Sequence, residues 1–229
     1  MAIIIYKSGA AVSELVDERD SKSRDGNIMR VRFSPAAQNM LLRKKRELAY
    51  VIGLAIGDGN LSNSNNRAVR LRITCDNKYP KLLNRICKIL QKIMPLNKVS
   101  IVVRNQGCCD VSCYSNQWEE LLGWKAKGGP KHLQKVRIPK WIMDSEKFSI
   151  QCLRGLIETD GSIYFDRKYK MVNFVTIIPE LANDVIMIIK RLGFDANLYI
   201  IKTKSADKYT IRLSKRTDEF IKILKLLKN

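Results

Sequence analysis

The chain has a single histidine, His132, among 229 residues. It has no partner motif, so a histidine-built zinc centre is excluded. Six cysteines stand at 75, 87, 108, 109, 113 and 152, and no two have CxxC spacing. Cys109 and Cys113 are four apart, but no second Cys/His pair lies at zinc-site spacing. Free thiols in a reducing, intracellular setting are the best account. Glycine (12) and proline (6) are scarce and hydrophobic residues make up 45%, a composition able to build a core against chain entropy. No apolar run approaches membrane-spanning length. The N-terminal AIII is too short for a signal-peptide core and lacks a leading basic region. The expectation is a soluble chain of one large domain or two small ones, in the cytoplasm, nucleoid or organelle matrix. Acids are also in deficit, with 22 Asp plus Glu against 42 Lys plus Arg and a formal charge of +20. That excess opposes compaction by self-repulsion and attracts polyanions, so nucleic acid is the favoured partner.

What the chain does have is one nine-residue pattern twice: VIGLAIGDG, Val51 to Gly59, and LRGLIETDG, Leu153 to Gly161. Each is an apolar helical run with small residues four apart, closed by Asp-Gly. Gly53 and Gly57 share one helix face, as do Gly155 and Thr159. Glycine inside a helix costs about 1 kcal/mol relative to alanine. Close helix–helix packing would offset that cost in both copies. Parallel packing would also bring the helix C-termini together, making Asp58 and Asp160 neighbours. That is electrostatically poor, since the acids repel and each sits at the negative end of a helix dipole. A divalent cation resolves both problems. Mg²⁺ takes carboxylate oxygens while keeping water and phosphate oxygens, and metal held between acids suits in-line displacement at a phosphate. One Asp-Gly alone would be a turn pair. Two in register point to function.

Around the motifs the chain repeats an order of elements. Ser34-Pro35 starts a helix running through AAQNMLLRKKRELAYVIGLAIG, with a possible break before the motif. AVRLRIT alternates like a half-buried strand, KLLNRICKILQKI has helical spacing, VSIVV and DVSCYS form a hairpin, and NQWEELLGW closes the first half. KFSIQCLRGLIETDG, SIYFDRKYKMVNFVTII, PELANDVIMIIKRLGF, the hairpin NLYIIKTK/KYTIRLS and RTDEFIKILKLL repeat that order. Asp58 and Asp160, Thr74 and Thr176, and Leu90 and Leu192 share an offset of 102, which reads as internal duplication. The Lys-rich stretch 125–146, broken at Gly128, Gly129 and Pro130, reads as a basic linker. The expected divisions are an extension over 1–45, half-domains over 46–124 and 147–229, and the linker between them. A short strand near Val31 to Phe33 is expected in the extension.

VIGLAIGDG and LRGLIETDG resemble the motif that names the LAGLIDADG homing endonucleases, and RIPKWI…FSIQCLRGLIETDG is similar to the lead-in to the second motif in single-chain members. The resemblance covers roughly 46–229. It implies an α+β fold of two pseudo-symmetric αββαββα half-domains, with antiparallel sheets forming a DNA-binding saddle and motif helices packed at the interface. It further implies a monomer that cuts both strands of a long DNA site with Mg²⁺, leaving short 3′ overhangs. The family's metal-binding acids carry over to Asp58 and Asp160, with the backbone at Gly57 and Thr159 beside them. Ile56 stands where the motif has an earlier acid, a place Glu158 fills in the second copy. Cys75 and Ile177 stand where many members have a Gln. An assisting base is assigned to Lys215 or Arg212, with Lys98 and Arg104 weaker candidates.

On such sheets one face packs on helices and the other is polar, so alternate residues point at base edges. Ser62, Ser64, Asn66, Arg70, Arg72 and Thr74 are the first-half candidates, and Tyr164, Asp166, Lys168 and Lys170 those of the second. Arg137 and Lys140, with other basic residues of the linker, are assigned to phosphates, which position without specifying. The tryptophans at 118, 124 and 141 are assigned to core or anchoring roles. Two alternatives use the same fold: a maturase that binds intron RNA, and a DNA-binding regulator without nuclease activity. Retention of both Asp58 and Asp160 favours cutting.

Overall fold

A computed structural model describes residues 35–63, 66–104, 107–204 and 206–227. The expected strand at 31–33 and the candidate Ser64 lie outside the described residues. The chain divides into two compact units, Met1–Lys45 and Arg46–Asn229. Helix α1 spans Pro35–Ile56, with no break before the motif. In the first unit the described helix exposes Met40, Leu41 and Leu42.

The second unit contains both motifs. After α1 come β1 (Gly59–Ser62), β2 (Arg70–Asp76), α2 (Pro80–Ile93), β3 (Val99–Val103), β4 (Cys108–Tyr114) and α3 (Trp118–Leu122). A single turn, α4 (Lys140–Met143), leads to α5 (Glu146–Thr159), β5 (Gly161–Asp166), β6 (Tyr169–Thr176), α6 (Pro179–Arg191), β7 (Asn197–Ile201), β8 (Lys208–Leu213) and α7 (Thr217–Leu224). Each half is therefore αββαββα, as expected. The sheets are antiparallel and have matching orders, β1-β2-β4-β3 and β5-β6-β8-β7.

The inner face of each sheet is apolar. Leu61, Leu71, Ile73, Val111 and Cys113 point inward from the first sheet, and Val172, Phe174, Ile211 and Leu213 from the second. The helices cover these faces: α2 buries Leu82, Ile86 and Leu90, and α6 buries Leu181, Val185 and Ile188. Residues 49–56 of α1 are buried on every side, the mark of a helix enclosed between packed layers. Trp118 and Trp124 are core residues, and the Trp118 indole donates to the Cys113 carbonyl at 3.0 Å. Trp141 packs edge-on against Phe148. All six cysteines are free thiols.

The constant offset of 102 does not survive the pairing. Gly59 pairs with Ile73 and Gly161 with Phe174. Ile73 therefore matches Phe174, an offset of 101, and Thr74 matches Val175 rather than Thr176. The helices α2 and α6 both open on proline, at Pro80 and Pro179, an offset of 99. The cause is loop length. β1 and β2 are joined by residues 63–69, whereas β5 and β6 are joined by Arg167 and Lys168 alone. Duplication fixes the elements, while their connections have drifted.

The segment 125–146 links the halves but is packed. Val136, Ile138 and Ile142 are buried in the core. Arg137 forms a bidentate pair with the fully buried Asp184 of α6 (3.1 and 2.6 Å), whose carboxylate also accepts the Ile138 N–H at 3.0 Å.

Candidate active site and nucleic-acid face

The site begins where α1 and α5 cross. A β-carbon on Gly53 would stand 2.1 Å from the Cys152 carbonyl oxygen, and one on Gly155 would stand 2.4 Å from the Tyr50 carbonyl oxygen. Real β-carbons do not approach so closely, so the glycines are what let the two backbones touch. One turn further on, a β-carbon on Gly57 would meet the Thr159 Oγ1 at 2.0 Å and the Asp160 carboxyl carbon at 3.5 Å. Thr159 spends its hydroxyl on the Gly155 and Leu156 carbonyls, 2.9 and 3.1 Å away. Gly59 and Gly161 lie directly against their own last helical turns, at Ala55 and Ile157. Each strand can thus leave its helix at once, and each aspartate is held at the helix foot.

Asp58 and Asp160 are both exposed and sit at the C-terminal ends of these touching helices. A third group joins them. The Lys131 ammonium donates to the carbonyls of Ala55 (3.1 Å), Ile56 (2.6 Å) and Gly57. Burial pushes its pKa down, and the charges of Asp160 and Asp58 pull it back up. One lysine from the inter-half segment therefore caps the first motif helix within the field of both acids. The sequence assigned Lys131 no role beyond a phosphate contact. No periodicity marks it, because it lies in an irregular stretch.

A cavity of about 150 Å³ opens beside Asp58, lined among others by Thr74, Asp76, Lys78, Glu158 and Thr159. Two carboxylates on the carbonyl ends of two helices are hard oxygen donors that suit a divalent cation. Among the described residues no group of three or more His, Cys, Asp or Glu could hold a metal. The aspartate pair thus needs water and phosphate oxygens to complete a coordination shell. Of the expected metal-adjacent groups, the Gly57 carbonyl is engaged by Lys131.

Glu158, the motif's earlier acid, lines the same cavity as Asp58 but is engaged in ion pairs and hydrogen bonds of its own. It is 2% exposed and accepts from the Tyr50 hydroxyl (2.5 Å), Arg85 (3.0 Å) and the Leu227 N–H (2.8 Å), with Arg154 at 3.7 Å. It is a buried anchor joining α1, α2, α5 and the chain end. The Tyr50 hydroxyl is pushed well above its ordinary value by burial and by the Glu158 charge.

The assisting bases fare differently. Arg212 faces outward from β8, opposite Asn173, and lies over the Tyr199 ring at 5.6 Å. Lys215 is exposed two residues beyond the end of β8, level with the far end of the β5–β6 hairpin. The structure does not bring Lys215 to the aspartates, because β8 ends at Leu213 and the chain turns into α7.

On the first sheet Ser62, Arg70, Arg72 and Thr74 all lie on the face away from the helices, cross-strand from one another and from Ser112 and Asp110. Ser62 accepts from Arg70 at 3.2 Å. Asn66, in the loop, accepts from Lys127 at 2.5 Å. On the second sheet Tyr164 and Asp166 share the outer face, and the Tyr164 oxygen accepts from Asn173 at 2.9 Å. Lys168 sits in the hairpin turn. Lys170 is a correction: it pairs with Phe165 on the helix side and bonds Asp218 of α7 at 2.6 Å. A two-residue turn makes even positions of β5 face odd positions of β6, so alternation does not carry straight through it. Lys140 is exposed at the start of α4. Arg137 is committed to Asp184, an anchoring role that its surface position concealed. Sequence reasoning missed Ser162, Asn173, Thr210 and Tyr199 on the second face and Asp110 on the first, and named Arg104 only as a weaker assisting residue.

Fold and site together show two αββαββα halves whose motif helices touch and each end on an aspartate. The chain matches the LAGLIDADG-like domain at residues 147–226, and about four-fifths of it has the fold of the homing endonuclease I-DmoI. Mesophilic variants of the homing endonuclease I-DmoI superpose with a TM-score of 0.59 at 18% identity, covering 79% of this chain and 96% of theirs. I-DmoI in complex with DNA and Mn gives 0.59 and 18%, covering 79% and 97%. Full-length DUF199/WhiA from Thermatoga maritima gives 0.56 and 13%, covering 80% of this chain and 56% of its own. No curated protein matches the sequence. No helix among the described residues is long and apolar enough to cross a membrane.

Proposed function

We propose that the chain is a site-specific DNA endonuclease that hydrolyses both strands of a long duplex target in a divalent-metal-dependent reaction, leaving short 3′ overhangs. It acts as a monomer, since each half supplies one of the two acids. The observation that supports this reading is that Asp58 and Asp160 end two touching helices and both act on Lys131. I-DmoI, similar in fold, is crystallised with DNA and Mn and with target DNA and Mg.

When bound, the cation supplies charge stabilisation at the phosphoryl group and a more acidic water. Asp58 and Asp160 would hold it, one from each half. Lys131 keeps the carbonyl end of the first motif helix compensated within the field of both carboxylates. The outer sheet faces bind the duplex, with arginine and polar side chains toward the base edges and the basic surface toward phosphates. Arg212, on the outer face of β8, is assigned here to contact with the duplex.

The test is a plasmid carrying the joined genomic flanks of the gene. Linearisation in Mg²⁺ and none in EDTA is expected. Tight binding of that plasmid without cutting would instead favour a DNA-binding protein without nuclease activity. The fold also occurs in DUF199/WhiA, so fold alone does not decide, whereas the retained acid pair favours cutting.

A further inference from the structure

The loop at the start of the inter-half segment is closed on itself. The Gln134 side chain accepts the Lys125 N–H at 2.9 Å and donates to the carbonyls of Lys125 (3.0 Å) and Gly129 (2.8 Å). The chain turns back where the Leu133 N–H donates to the Pro130 carbonyl and the Val136 N–H to the Lys131 carbonyl, each at 3.1 Å. Trp124 before the loop and Val136 after it are buried and fix its two ends. Between them Lys125, Lys127 and Lys135 are exposed, whereas Lys131 is withdrawn from solvent.

An ammonium has three N–H donors. Those of Lys131 meet three carbonyls at the end of α1, of Ala55, Ile56 and Gly57, which leaves none for a phosphate. Asp58 follows directly in the chain, and the charges of Asp160 and Asp58 both act on the ammonium. Backbone carbonyls beside carboxylates are the hard oxygen donors that a divalent cation takes. Lys131 thus fills with a single charge a place whose donors suit a double one. A second cation entering the same field is repelled by the first.

We propose that Lys131 is a built-in counter-cation that a divalent ion displaces: metal binding at Asp58 and Asp160 expels the ammonium from the end of α1 and frees the 125–135 loop. The released lysine then joins Lys125, Lys127 and Lys135 at the surface, where duplex phosphates attract it. The tied loop and the loaded site exclude each other. This rests on the divalent-metal reading given above.

Titration of the metal-free full chain with Mn²⁺, the free ion being read by electron paramagnetic resonance, tests this without any cleavage assay. Lys131→Met and Lys131→Gln should each bind Mn²⁺ about tenfold more tightly than the wild type, a usual size for coupling between two sites. Hydrogen exchange over 125–135 gives a second readout that needs no variant. In the wild type it should quicken when Mn²⁺ is added. In both lysine variants it should be fast from the start and stay so. Asp58→Asn should abolish the response of the loop to Mn²⁺. Equal or weaker Mn²⁺ binding by the lysine variants, a wild-type loop whose exchange Mn²⁺ leaves unchanged or slows, or a full response in Asp58→Asn would overturn the displacement while leaving metal binding intact. No Mn²⁺ bound by any form would overturn the divalent-metal reading itself, and the displacement with it.

Discussion

Gly155 lies so close to Tyr50 that a β-carbon there would stand 2.4 Å from the Tyr50 carbonyl oxygen and 2.6 Å from the Leu54 nitrogen. Both atoms are backbone and neither can step aside. Gly155→Ala should therefore part the helices and destabilise the fold by about 1–3 kcal/mol, the scale of overpacking, despite alanine's better helix propensity. Urea unfolding reads this directly. An unchanged or raised midpoint would show that the helices do not touch there.

Glu158 should behave as a structural acid. Glu158→Gln leaves Arg85 and Arg154 without their buried countercharge, a loss of about 3 kcal/mol or more. Tyr50→Phe removes only one hydrogen bond to that carboxylate and should cost about 1–3 kcal/mol. Denaturant midpoints of the two variants check the order. A nuclease defect in Glu158→Gln at full stability would instead place Glu158 in the reaction.

Lys131 makes three contacts with carbonyls at the end of α1. Lys131→Met removes the cation but keeps most of the side-chain bulk. Hydrogen bonds to charged groups contribute about 1.5–3 kcal/mol, and a loss of that order is expected. Added Mg²⁺ should restore part of it, because the two acids then lack their protein cation. Thermal unfolding with and without Mg²⁺ decides. Equal stability of wild type and variant in EDTA would contradict the capping role.

Cys113 gives the alkaline limit a testable component. Burial pushes its thiol up to about 11 from the usual 9.0. Below about 9 both folded and unfolded states hold the proton, so its contribution is fully present. As pH rises toward 11 the unfolded thiol ionises first, and stability is lost. Relative to Cys113→Val, the wild type should lose stability between pH 9 and 11. Parallel pH profiles would contradict a buried, neutral thiol.

The elements were legible because apolar spacing and proline-opened helices dictate them locally. The aspartates and their glycine faces were legible for the same reason, since the pattern occurs twice. Registers were not. A constant offset matched Thr74 with Thr176, whereas a seven-residue loop in one half and a two-residue turn in the other match Thr74 with Val175. The same turn put Lys170 on the helix side. Lys131, Asp110 and the Arg137–Asp184 pair depend on contacts between distant segments, which no local pattern records. The charge of Arg137 is visible in sequence, whereas its buried partner Asp184 is not.

The central claim is that each half contributes one indispensable carboxylate to a shared metal-dependent reaction. Cleavage of the cognate plasmid by Asp58→Asn and Asp160→Asn, each compared with wild type in Mg²⁺ and matched for DNA binding, tests it most directly. Either substitution should lower the cutting rate by several powers of ten while leaving binding in place, as expected when charge stabilisation of several kcal/mol is removed. Cutting at near wild-type rate by either variant would contradict the account.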